Sequence, residues 1–144
     1  MRFLIINGPN LNLLGKREPE IYGTQSYSQL ITQIRAFSRK NGMRCQFFQS
    51  NHEGALVDRI QHAAGRYDGI VINAAAYTHT SIAIADALRA VRLPYVEVHL
   101  SDLSAREEYR QVSFLKAGAL TVIDGQGFTG YLQALLCLRE HLSS

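Results

Sequence analysis

The sequence predicts a three-layer α/β fold on three observations. Short apolar runs alternate with helical periodicity along the chain, as where Ile70-Val71-Ile72 is followed by Ile82, Ala85 and Val91 at helical spacing. Five strand patterns separated by helices imply a parallel sheet covered on both faces. Three of those strands open directly into polar clusters. Arg2–Ile6 runs into Asn7-Gly8-Pro9-Asn10, Gly69–Asn73 leads to Thr78-His79-Thr80-Ser81, and Tyr95–His99 meets Leu100-Ser101-Asp102. Right-handed crossovers favour a flavodoxin-like five-stranded sheet of order 2-1-3-4-5. Ligands bind such sheets beyond the carboxyl ends of the strands, where the order reverses. Strands one, three and four meet there, and their polar ends describe a pocket for a polar small molecule.

Each element has its own signal. After the first strand, Gly8 to Thr24 carries Gly, Pro, Asn and charges without a period, a connection of roughly seventeen residues. Structureless loops beyond about 12–15 residues are uncommon and usually functional, so this one is expected to be an active-site lid. Ser26 and Gln29 have capping-box spacing, Leu30, Ile31, Ile34 and Phe37 mark one helical face, and Gly42 suits a left-handed stop. Met43, Cys45 and Phe47 alternate as a second strand. Asn51 can cap a helix carrying Leu56, Ile60 and Ala64 and closed by Gly65. Ile70–Ile72 is the third strand, and Pro94 ends the helix that follows it. Val96, Val98 and Leu100 form the fourth strand. Ser104-Ala105-Arg106-Glu107 reads as a second capping box opening a short helix, Ala119–Ile123 as the fifth strand, and Leu132, Leu135, Leu136 and Leu138 as the last helix.

Composition bounds the function. At 144 residues, 47% hydrophobic and 19% charged, the chain is expected to be one domain with a packed core. Its net charge of +3 is mild, and Arg35, Arg39, Lys40, Arg59, Arg66, Arg89 and Arg92 are scattered without interleaved aromatics, which disfavours nucleic-acid binding. Cys45 and Cys137 belong to no metal-spaced pair and read as reduced core thiols. Neither a signal peptide nor an apolar stretch of membrane-spanning length is evident, so the expected location is cytoplasmic, away from membranes.

Several residues could carry chemistry. His99 shares a strand face with Glu97, and a carboxylate beside an imidazole fixes its tautomer and favours its charged form, as a general acid needs. The bland alternative is a strand-end histidine bonded to a neighbour. Arg17 and Tyr22 sit in the long loop. A phenol is a poor base near neutrality unless a cation stabilises its anion, and arginine is the suitable cation; spacing alone favours a surface tyrosine packing the loop. Asn7, Asn10, Asn12 and Asn73 can orient hydroxyls or stabilise an oxyanion, or simply form turns. Gly125-Gln126-Gly127-Phe128-Thr129-Gly130 matches G-x-G-x-x-G. No further strand or acidic residue follows it at dinucleotide-site spacing, so it reads as a tight turn with close helix packing. His52, His62 and His141 lack partners at metal-ligand spacing, and Lys16, Lys40 and Lys116 lie in polar settings unsuited to a Schiff base. Neither a metal nor another cofactor is expected.

Taken together, Asn7–Gly15, Arg17–Gly23, Gln49–Gly54, Ala75–Ser81 and Glu97–Ser101 resemble the type II 3-dehydroquinate dehydratases over nearly the whole chain. The resemblance implies loss of water from 3-dehydroquinate to give 3-dehydroshikimate in the shikimate pathway. It implies that Tyr22 is the base, held as phenolate by Arg17, that Asn10 helps bind the enolate oxygen, and that His99, paired with Glu97, protonates the departing hydroxyl. Asn73, His79 and Arg110 would bind ring hydroxyls, and the Leu100 and Ser101 amides the carboxylate. Asp86 resembles a residue reaching a neighbouring subunit's site, in a family of homo-oligomers that are dodecamers built from trimers. The small apolar residues of Ile82–Ala90 fit an oligomer as well.

The chain departs from the usual pattern at Ala74, where proline is common, at Asp102 (asparagine) and at Ser104 (histidine), and across Gln111–Gly118. Asp102 is expected near the substrate carboxylate, where it would repel it. The reading from a different class is a flavodoxin-like module that binds a nucleotide at the switch point. That reading leaves Arg17, Tyr22 and the Glu97/His99 pair without a purpose.

Overall fold

A computed structural model describes all 144 residues. Five strands, β1 (Arg2–Asn7), β2 (Arg44–Gln49), β3 (Gly69–Asn73), β4 (Tyr95–His99) and β5 (Val122–Asp124), form one sheet of order β2-β1-β3-β4-β5. Every pairing is parallel, as the predicted 2-1-3-4-5 order requires. The sheet is covered by α2 (Tyr27–Lys40), α3 (Glu53–His62), α4 (Ile82–Val91) and α5 (Thr129–Ser143), while a short helix, α1 (Pro19–Tyr22), lies in the first connection.

Strand periodicity sorts the core into two layers. Phe3 and Ile5 of β1 point to one face with Val71, Leu30, Ile34, Tyr131, Leu135 and Leu138. Leu4 and Ile6 point to the other, against Leu56, Ile60, Ile84 and Leu88. Ile5 is fully buried, and truncating a side chain of its size to alanine in such a layer costs about 2–5 kcal/mol. The capping box on α2 forms in both directions, Gln29 N–H to Ser26 Oγ at 3.1 Å and Ser26 N–H to Gln29 Oε1 at 2.7 Å.

Local signals failed at five places, and at the first two a competing hydrogen bond is the reason. Asn51 does not cap α3, whose cap position is His52. The Asn51 Oδ1 instead accepts from the Asn10 amide (3.0 Å) and from Gln49 Nε2 (3.2 Å), so a long-range loop staple outcompetes the cap. The Ser104 capping box does not form either. Asp102 takes the cap of a 3₁₀ turn over Leu103–Ala105, accepting from the Ser104 amide (2.9 Å) and hydroxyl (2.7 Å). The expected helix is replaced by separate 3₁₀ turns, and β5 begins at Val122 instead of Ala119. Gly8–Thr24 is not structureless, since it holds a 3₁₀ turn at Leu11–Leu13 as well as α1. The two cysteines are half-buried free thiols packed on the rim of the core, not inside it.

The glycine motif after β5 behaves as a turn. Gly125 and Gly127 adopt positive φ (73° and 56°), and at Gly130 a Cβ would already touch Ile123 and Val98 at 3.4 Å, as close helix-on-sheet packing demands. No helix is long and apolar enough to cross a membrane.

Candidate active site

The carboxyl ends of β1, β3 and β4 open into a cleft of about 630 Å³, including its open mouth. Its floor is set by a buried polar network. Asn73 Nδ2–H donates to Tyr131 Oη (3.0 Å), Tyr131 O–H donates to Asn7 Oδ1 (2.6 Å), and Asn7 Nδ2–H donates to Tyr27 Oη (3.4 Å). The network ties the ends of two adjacent strands to α5 and satisfies polar groups that would be costly to bury alone. Burial pushes the Tyr131 phenol well above its ordinary value, so it stays a neutral donor. Gly8 crosses the end of β3 so closely that a Cβ there would run into the Ala74 carbonyl. Asn73 Oδ1 accepts from the Ala75 amide (3.1 Å), and Ala75 itself is held at φ 54°, a strained value for alanine at the cleft wall.

Part of the lining comes from the connection expected to be a lid. Tyr22, at the end of α1, is half-buried, and Arg17 donates to its Oη from Nη2 at 3.2 Å. From 84 residues further along the chain, Arg106 brings both Nη1 and Nη2 to the same oxygen at 3.4 Å. Nη1 of Arg106 also donates to Ser101 Oγ (3.2 Å), which joins the lid to the turn after β4. The Arg17 guanidinium also lies 4.5 Å from the Tyr22 ring centroid, a cation–π distance.

The lining also holds His99, with Glu97 fully buried behind it. Nε2 of His99 lies 2.5 Å from Glu97 Oε2. A carboxylate can only accept, so the proton sits on Nε2 and Nδ1 is left for a ligand. By the same logic His79 Nδ1 donates to the Val112 carbonyl (2.7 Å), leaving its Nε2 uncommitted at the cleft. Arg110 completes this side. Its Nε is buried without an aligned partner, although Glu107 Oε2 lies 3.2 Å away.

Of the residues expected from the sequence, the cleft is lined by Asn10, Arg17, Tyr22, Asn73, His79, His99, Leu100, Ser101 and Arg110, with Glu97 held directly behind. Asp86 lies apart, its side chain 65% exposed and paired loosely with Arg89 at 3.8 Å. Asp102 also falls outside the lining, contrary to the expected clash with a substrate carboxylate. Its carboxylate turns to Ser104, whose hydroxyl and amide hold it below the usual carboxylate range. Arg106 lines the cleft but went unrecognised in the sequence, because its local context read as a helix start. The only available signal was its place in a run that also supplies Arg110, just beyond a polar strand end. Three arginines and two histidines line the cleft without an acidic residue, so the cavity favours an anionic ligand.

Comparison with known proteins gives the family. The family model described as Dehydroquinase class II matches residues 1–139. A 3-dehydroquinate dehydratase of Synechococcus sp. (strain CC9605) is 55% identical over 142 residues, covering 99% of this chain and 97% of the relative. A catabolic 3-dehydroquinase of Verticillium alfalfae is 49% identical over 141 residues, covering 98% and 94%. The crystal structure of type II dehydroquinase from Butyrivibrio crossotus superposes with a TM-score of 0.95 at 45% identity, covering 96% of this chain and 97% of that one. The chain belongs to the class II dehydroquinase family, the type II 3-dehydroquinate dehydratases.

Proposed function

We propose that this shikimate-pathway 3-dehydroquinate dehydratase works through an enolate, with Tyr22 as base and His99 as general acid. The observation that carries the proposal is the placement of Tyr22 Oη against two guanidinium groups, in one cleft with a histidine backed by a buried carboxylate. Two guanidinium groups donate to that oxygen, and the phenolate is the form able to take a proton. Phenolate removes the proton on the carbon next to the ketone, and the electron pair moves onto the ketone oxygen. Asn10, at the cleft mouth, helps hold that oxygen, through water. Collapse of the enolate expels the hydroxyl, which takes the proton of imidazolium His99 and leaves as water. Glu97 stabilises the imidazolium and keeps Nε2 protonated, so that Nδ1 delivers the proton.

Asn73, His79 and Arg110 bind the ring hydroxyls, and the amides of Leu100 and Ser101 bind the carboxylate in the cationic cleft. The reaction requires neither metal nor organic cofactor, since proton transfer and charge stabilisation suffice. The chain acts as a homo-oligomer, a dodecamer built from trimers, in which Asp86 reaches a neighbouring subunit's cleft. The exposed apolar side chains of Ile82, Tyr109, Val112 and Phe114 support such an assembly. Its location is cytoplasmic. Purified chain added to 3-dehydroquinate should produce conjugated-enone absorbance. A folded chain that generates no enone removes the proposal.

A further inference from the structure

Glu97 is fully buried, and two side chains donate to it. One is His99. The other is Ser113, whose Oγ lies 2.8 Å from each carboxylate oxygen. The Ser113 hydroxyl also accepts from the Leu115 amide at 3.1 Å. With a lone pair engaged there, its one proton is directed to the carboxylate.

The segment that carries Ser113 is pinned at several points. The Phe114 amide donates to Thr78 O at 3.0 Å, Tyr95 O–H donates to Leu115 O, and Val112 O accepts from His79. Tyr95, Glu97 and His99 alternate along one face of β4, so residues 112–115 clasp the face that carries the histidine. The clasp holds the site's only buried carboxylate.

We propose that Ser113 is a positioning residue that acts through Glu97 on His99. Its hydroxyl replaces a hydrogen bond the buried carboxylate would otherwise take from water, and fixes its plane so that Oε2 faces His99 Nε2. Losing the donor leaves a buried charge short of one hydrogen bond and frees the pair to rotate or to share its proton differently. The inference rests on His99 as general acid for its kinetic consequence, but the link itself is structural and has its own readout.

The test uses the full chain with Ser113→Ala, Ser113→Thr, Glu97→Gln and the Ser113→Ala/Glu97→Gln double variant. Ser113→Ala should lower kcat by roughly 10- to 100-fold with KM changed less than about twofold, and Ser113→Thr should recover most of the loss. In the Glu97→Gln background, Ser113→Ala should cost almost nothing further, because both act on one contact. Proton NMR supplies a readout independent of turnover. The low-field His99 Nε2–H resonance, assigned by its loss in His99→Asn, should move upfield or broaden in Ser113→Ala and persist in Ser113→Thr. An unmoved resonance in Ser113→Ala, or kinetic losses that multiply in the double variant, overturns the proposal. Should Ser113→Ala fail to fold, Ser113→Cys, a weaker donor of similar size, carries the same comparison. A wild-type chain inert toward 3-dehydroquinate would refute the proposed reaction, while the resonance would still decide the Ser113 link.

Discussion

Two tyrosines line opposite kinds of environment within one site. Tyr131 is fully buried, bonded only to the neutral amides of Asn7 and Asn73, and pushed far toward its neutral form. Tyr22 sits in the lid at the cleft surface and meets Arg17 and Arg106 at its oxygen. The side chain is the same and the neighbours decide its use. Amide partners and desolvation make Tyr131 a rigid strut, while guanidinium partners suit Tyr22 to a proton-taking role. The strut joins β1, β3 and α5, whose apolar patterns are local. The lid contacts depend on residues far apart in the chain.

That contrast is broken most severely by Tyr22→Phe. Turnover should fall by roughly 10²–10⁴ or more while product still binds, as seen by direct titration. Tyr131→Phe should leave turnover within a few fold, because it loses no reacting group. Near-wild-type turnover in Tyr22→Phe together with a collapse in Tyr131→Phe would reverse the assignment.

Removing either guanidinium comes next. Arg17→Ala or Arg106→Ala should each lower kcat by about tenfold or more, since each removes a donor from the Tyr22 oxygen. Unchanged turnover in both variants would show that the arginines only shape the loop.

The strut answers to stability measurements instead. Tyr131→Phe strands Asn7 Oδ1 and one Asn73 donor, which should cost about 1–3 kcal/mol in denaturant unfolding. Its pH dependence has a definite sign. Tyr131 and Tyr95, the latter pushed up to about 12, ionise more readily in the unfolded chain, so stability should be fully present below pH of about 10 and fall as pH rises beyond it. The fall should be shallower in Tyr131→Phe. The smallest effect belongs to Asp102→Asn, which should change KM by less than about twofold, because that carboxylate faces Ser104 and not the cleft. A tenfold gain in affinity would place it back against the substrate.

What the sequence disclosed follows the range of the interactions. The alternation of Phe3 and Ile5 with Leu4 and Ile6, the Ser26 capping box, and the polar ends of β1, β3 and β4 are local patterns, and they fixed topology and cleft together. Asn51 and Ser104 misled because a cap signal is local while their partners, Asn10 and Asp102, were settled by tertiary packing and a competing turn. Arg106 was invisible for the same reason, as nothing near it in sequence points to Tyr22. The roles of Arg17 and Tyr22 came from the family resemblance, since spacing alone favoured a surface tyrosine. Ser113 lies in a stretch with no periodic signal, and only the fold brings it to Glu97.

The most direct test of the lid is a double-mutant cycle on 3-dehydroquinate turnover with Tyr22→Phe, Arg17→Ala and the pair combined. If Arg17 acts through the Tyr22 oxygen, Arg17→Ala should cost little once Tyr22 is phenylalanine, leaving the double variant close to Tyr22→Phe alone. Losses that multiply, with Arg17→Ala costing as much in the phenylalanine background as in the wild type, would contradict a shared proton transfer.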